Sequence, residues 1–115
     1  MAQPSRTPRV ELLWWDGCPS AKPALEQARD ALRELGLDES EVVMREIRDD
    51  DEAQAVGFVG SPTVLVDGVD VAPPPNDEPV RLACRVYHRR DGRISPVPDP
   101  DDLREALLAA SSRAE

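Results

Sequence analysis

The sequence predicts a single α/β domain, and three observations carry that prediction. Short β-rich apolar runs stand at 10–15, 42–47 and 63–66. Between and after them lie apolar stripes with helical spacing: Leu25, Ala28, Leu32 and Leu35, then Leu103, Ala106, Leu107 and Ala110. Gly, Pro and Asp-Gly signals separate the two kinds of segment, and strands alternating with helical patterns are the mark of α/β architecture. The chain of 115 residues is one domain in length. At that size a folded chain buries roughly two thirds of its surface, which supports one core.

Taken in order, residues 1–8 (MAQPSRTP) are polar and broken by proline, and read as a disordered arm ahead of a domain at 9–112. Val10, Leu12, Leu13, Trp14 and Trp15 are interrupted only by Glu11, which fits a strand covered on both faces. Asp16-Gly17 ends it. Pro19 to Leu35 reads as a helix, with Pro19 and Pro23 near its start and Gly36 as its stop. Val42, Val43, Met44 and Ile47 form a second strand. The acids Asp49 to Glu52 then favour the first turn of a helix, Asp51 to Val56, closed by Gly57. Thr63 to Val66 followed by Asp67-Gly68 is a strand and a turn. Pro73-Pro74-Pro75 and Pro79 predict irregular structure over 69–80. Leu82 to His88 reads as a fourth strand and Arg90 to Arg93 as a turn. Asp99 suits the N-cap and Pro100 the first position of a last helix. The expected order is β-α-β-α-β-β-α.

Charge and composition exclude several function classes. Twenty-three acidic against 14 basic residues give a net charge of -9, which disfavours nucleic acid and anionic membranes as partners, since phosphate contacts need a basic surface. No run of about 18 apolar residues is present to span a membrane, and the start lacks the basic-then-apolar pattern of a secretory signal. A cytoplasmic location is therefore expected. Two Cys and one His are too few for a disulfide scaffold or a four-ligand zinc site, so neither a metal nor a cofactor is expected.

The chemistry concentrates in Trp14-Trp15-Asp16-Gly17-Cys18-Pro19-Ser20-Ala21-Lys22. Cys18 follows a buried strand and precedes a helix, where unpaired N–H groups favour a thiolate and lower its pKa. Lys22, one turn on, adds a cation. A second signal is Gly60-Ser61-Pro62-Thr63, an X-Pro bond just ahead of a strand, where a cis peptide can be held.

Together, Cys18-Pro19 at the first helix start, Ser61-Pro62-Thr63 before the third strand and the order of elements resemble the thioredoxin-like fold, over roughly residues 9–112. That resemblance implies a central four-stranded mixed sheet flanked by helices, with Pro62 cis and facing Cys18. It implies a substrate site of Trp15, Pro19, Ser61, Pro62 and Thr63, whose backbone offers an edge to an extended peptide or a thiol compound. Where a C-x-x-C motif would place its second thiol stands Ala21. Cys84 is the one internal candidate for a resolving thiol. In the implied topology it opens a returning strand some 17 Å away, beyond the ~7 Å that a disulfide spans between Cα atoms. Cys84 is accordingly expected as a small buried side chain. Three segments also resemble short bacterial proteins grouped with organomercurial (alkylmercury) lyases: Trp15 to Pro19, Gly60 to Gly68, and Cys84-Arg85-Val86-Tyr87. That resemblance implies catalytic roles for Cys18, Cys84 and Asp16, the thiolates holding mercury and the acid supplying a proton.

The remaining features have plainer expectations. Asp16 suits a turn before Gly17, and Trp14 and Trp15 point to opposite sides of their strand. His88 suits an exposed strand end. Arg85, Arg89, Arg90 and Arg93 form a basic group that balances neighbouring acids. The expected function is thiol chemistry at Cys18, by exchange or mixed-disulfide formation with a small thiol or a disulfide-bearing peptide or protein. The alternatives are a non-catalytic binding or adaptor module and a mercury-directed activity using Cys18 and Cys84.

Overall fold

In the computed structural model, residues 8–38 and 42–112 are described. Most of the expected arm, 1–7, lies outside them; Pro8 is fully buried, so the packed domain begins one residue earlier than its composition suggests. The chain forms β1 (Val10–Trp14), α1 (Ala21–Glu34), β2 (Val42–Glu46), α2 (Asp50–Val56), β3 (Thr63–Val66), β4 (Val69–Asp70), β5 (Tyr87–His88), β6 (Ile94–Ser95) and α3 (Pro100–Ser112). The architecture is mixed α/β, with three helices and a four-stranded mixed sheet among the described residues.

The sheet order is β2-β1-β3-β4. β1 runs parallel to β2, Leu12 opposite Met44, and antiparallel to β3, Leu12 opposite Val64. β1 and β3 are thus the inner strands, and the alternating side chains of β1 enter two apolar layers. Val10 and Leu12 pack with Ala24, Ala28 and Leu32 of α1, Val64 and Val66 of β3, and Leu103 and Leu107 of α3. Leu13 points the other way, to Ile47, Ala53 and Phe58. Trp14 joins the first layer and Trp15 the second, as strand alternation requires.

The helix ends follow their local chemistry. Asp49 caps α2 by accepting from the Glu52 N–H, and Glu52 in turn accepts from the Arg48 N–H. Gly57 closes α2 at φ 69°, a left-handed conformation that glycine adopts without strain. Asp99 caps α3 through the Asp101 N–H. α1 starts at Ala21, later than the expected Pro19, because Cys18 to Ser20 are still turning.

The main departure concerns the fourth strand. It is Val69–Asp70, folded back on β3 through the Asp67-Gly68 turn, inside a stretch expected to be irregular. Leu82 to His88 is not a sheet strand. Only Tyr87–His88 is extended and paired, and its partner is β6 in a separate two-stranded sheet. A hairpin turn of two residues was available immediately after β3, and the shorter connection took the sheet edge.

Candidate functional site

Cys18 sits in the turn between β1 and α1, with its N–H bonded to the Trp15 carbonyl at 3.0 Å. Gly17 is required there: a Cβ on it would lie 2.3 Å from the Trp15 ring. The ring therefore lies against the turn that presents the thiol. Across from this turn, the peptide bond between Ser61 and Pro62 is cis. The Cys18 thiol reaches the Ser61 carbonyl at 3.5 Å. Ser61 Oγ accepts the Trp15 N–H at 3.0 Å, which leaves its own proton for the Cys18 sulfur. Ser61 and Pro62 are fully buried.

The structure overturns the expected position of Cys84. Segment 83–85 runs beside Ser61 as a parallel bridge, the Ser61 N–H donating to Ala83 O at 2.8 Å and the Arg85 N–H to Ser61 O at 2.7 Å. Cys84 thereby stands directly beside Ser61, whose carbonyl the Cys18 thiol also reaches, so the two cysteines lie against one residue. The expected separation assumed that 82–88 paired with β3 in the sheet. With β4 holding that edge, 73–82 loops back to the cis-proline end. Nor is Cys84 buried; it is exposed, while Cys18 is 4% exposed. The same bridge corrects a second expectation. The backbone beside Pro62, expected as an edge for an extended partner, is at Ser61 already bonded to the chain itself.

Polar contacts hold this returning segment. Arg85 bonds Asp70 at 2.8 Å, Thr63 Oγ1 at 3.2 Å and the Ala72 carbonyl at 2.5 Å, with both members of the ion pair largely buried. Its guanidinium stacks 4.4 Å from the Tyr87 ring centroid. The Tyr87 hydroxyl donates to the Pro62 carbonyl, and burial pushes that phenol above its ordinary value, so it stays a donor at neutral pH. Gly60 permits the approach. At φ 138° it stands where a Cβ would come within 2.8 Å of Arg85 Cβ. Thr63 also gives its hydroxyl to Gly60 O, and its backbone lies opposite Leu13 in the sheet.

The two thiols are electrostatically unlike. Burial pushes Cys18 up, but the Cys84 thiol, the Ser20 N–H and hydroxyl and the Ser61 hydroxyl outweigh it and leave Cys18 below the usual cysteine value. Cys84 is raised by its hydrogen bond to Cys18, then by burial and by the charge on Cys18. The groups stabilising the Cys18 thiolate are thus the helix-start residue Ser20, Ser61 and the second thiol. Lys22, Pro19 and Asp16 are exposed, Asp16 within the turn itself.

The other candidates fall where local pattern puts them. His88 is exposed on β5. The basic group disperses: Arg90 bonds Asp102 at 2.7 Å and Glu105 at 2.9 Å, Arg93 bonds Asp91 at 2.8 Å, and Arg85 is an interior residue. Sequence reasoning missed Arg85, Asp70 and Tyr87 as the framework of the site. The pairing of a buried Arg with an Asp 15 residues away has no periodic signal.

Comparison with protein families, curated proteins and solved structures gave no match. Among the described residues no helix is long and apolar enough to cross a membrane, and no group of three or more His, Cys, Asp or Glu could hold a metal ion.

Proposed function

We propose that this is a thioredoxin-like thiol protein in which Cys18 is the nucleophilic thiolate of a two-cysteine site performing thiol–disulfide exchange. The observation that carries the reading is that Ser61 has both cysteines against it, Cys84 through the backbone bridge and Cys18 through its thiol on the Ser61 carbonyl. The succession of elements and the placement of Ser61-Pro62 ahead of β3, with the Ser61 carbonyl facing Cys18, support the thioredoxin-like part.

A dithiol site needs an activated thiolate and a second thiol with which it closes the internal disulfide. Cys18 has the properties of the first: a lowered pKa, hydrogen bonds that stabilise the anion, and burial beside a protected carbonyl. Cys84 replaces the thiol that a C-x-x-C motif would have placed at Ala21. The pair cycles between two thiols and one internal disulfide, taking up or releasing two electrons and two protons. A mercury-directed activity would use the same two sulfurs, and Asp16 as acid. The exposure of Asp16 in the turn favours exchange over delivery of a proton within a closed site.

Oxidation of the protein with diamide, followed by peptide mass spectrometry, tests the reading. A peptide linking Cys18 to Cys84, restored to two free thiols by dithiothreitol, is the expected result. Recovery of both cysteines unlinked after oxidation, with Cys18 alkylating only above its ordinary pKa of ~8.5, would overturn it.

A further inference from the structure

Cys84 belongs to two surroundings at once. It stands beside Ser61, on whose carbonyl the Cys18 thiol rests, and it also lines an open cavity of about 600 Å³ on the side of the proline-rich loop. Val59, Val71 and Pro74 give this cavity apolar wall, while Glu78 and Arg81 stand at it as an ion pair 3.0 Å apart, both partly solvent-exposed. The volume is that of a site for a peptide-sized molecule. Cys18, by contrast, is 4% exposed and is not among the lining residues. The backbone edge at Ser61, where an extended protein segment would have to add, is filled by Ala83 and Arg85.

We propose that Cys84 is the sulfur that meets the outside partner, and that the cavity beside it seats a low-molecular-weight peptide-like thiol or its disulfide. The inference rests on the two-cysteine reading above and adds to it the substrate class and the order of events. Arg81 takes the ligand's carboxylate and Glu78 its ammonium group, exchanging one exposed ion pair for two. In the reducing direction the small thiolate attacks the Cys84 sulfur of the internal disulfide. A bond forms between the two sulfurs, the Cys18–Cys84 bond breaks, and the electron pair leaves on Cys18. That direction of cleavage follows from the leaving thiol being the better stabilised anion. A second small thiolate then attacks the ligand sulfur of the mixed disulfide and releases the small disulfide and the Cys84 thiolate, which takes a proton. In total one protein disulfide and two small thiols become one dithiol and one small disulfide. The oxidising direction is the reverse, with Cys18 attacking Cys84 to expel the ligand thiolate.

Glutathione disulfide is a suitable probe, being a tripeptide disulfide with both charged groups. Cys18→Ser is expected to accumulate a one-to-one adduct on Cys84, at a rate that saturates with probe concentration. Cys84→Ser is expected to form its adduct on Cys18 at least about tenfold more slowly, because that sulfur is covered. Arg81→Glu, placed on Cys18→Ser, is expected to slow the Cys84 adduct at low probe concentration while leaving its reaction with uncharged 2-hydroxyethyl disulfide unchanged. Equal rates at the two sulfurs, or a Cys84 rate that rises linearly without saturating, would overturn the inference. The diamide cross-link in the wild-type chain separates the two levels. Its absence defeats the two-cysteine reading itself, whereas its presence together with adducts on Cys18 defeats only the assignment of Cys84 and the cavity.

Discussion

The stretch from β1 to β3 and the stretch from β4 to β6 are held by different forces. The first is layered: alternate residues of β1 enter two apolar clusters, and α1 and α3 cover one of them. The second has little core of its own. It is fixed by Arg85 on Asp70, Tyr87 on Pro62, and Arg90 on Asp99, Asp102 and Glu105. The site lies where the two stretches meet, one thiol supplied by each. A hydrophobic scaffold thus positions Cys18, while a small set of polar contacts decides whether Cys84 is there beside it.

The largest expected effect is on the scaffold. Leu12→Ala removes a fully buried side chain from the central strand and should cost about 4 kcal/mol in chemical denaturation. It should do so without changing the relative reactivity of the two thiols in the protein that remains folded. Arg85→Ala should cost about 3 kcal/mol, since it leaves Asp70 charged, largely buried and unpaired. Its distinguishing consequence is chemical. The 83–85 segment loses its main anchor, so the diamide cross-link should fall in yield while Cys18 still alkylates. An Arg85→Ala chain that still cross-links fully would show that the Ser61 bridge alone holds Cys84.

A third expectation concerns pH. Because Cys18 is lowered relative to the unfolded chain, its thiolate adds stability fully above the unfolded value of ~8.5, and that contribution is lost as pH falls through the folded value. Iodoacetamide labelling of Cys18 should therefore show a midpoint below ~8.5. Cys84→Ala should move the midpoint upward, by removing the strongest of the groups that lower it. The smallest effect is expected from Arg90→Gln. Its pairs to Asp102 and Glu105 are exposed, so the loss in Tm should be slight and should shrink further in high salt.

Much of the layered stretch is legible in the sequence. The run from Val10 to Trp15, the stripe from Leu25 to Leu35 and the Asp99-Pro100 start each combine a period with a boundary signal, and each element is found within a residue or two of its expected bounds. Cys18 at a strand-to-helix turn and the proline ahead of β3 are legible for the same reason: both depend on neighbours in sequence. The returning stretch is not legible in this way, because neither period nor propensity decides its place. Leu82 to His88 has the composition of a strand. Yet the edge of β3 went to Val69–Asp70, which needs only a two-residue turn to reach it.

By itself, then, the sequence determined which segments are strands and helices in the layered part and that Cys18 stands at the turn between β1 and α1. These follow from backbone geometry and burial within a few turns of chain. Only the tertiary structure decided the role of Cys84. Its distance from Cys18 depends on a buried ion pair, a tyrosine hydroxyl and a two-bond backbone bridge to Ser61, joining positions 15 to 25 residues apart in sequence. Such contacts are selected by the closed shape of the whole chain, because each buried polar group must find a partner only after the apolar layers have set what lies within reach.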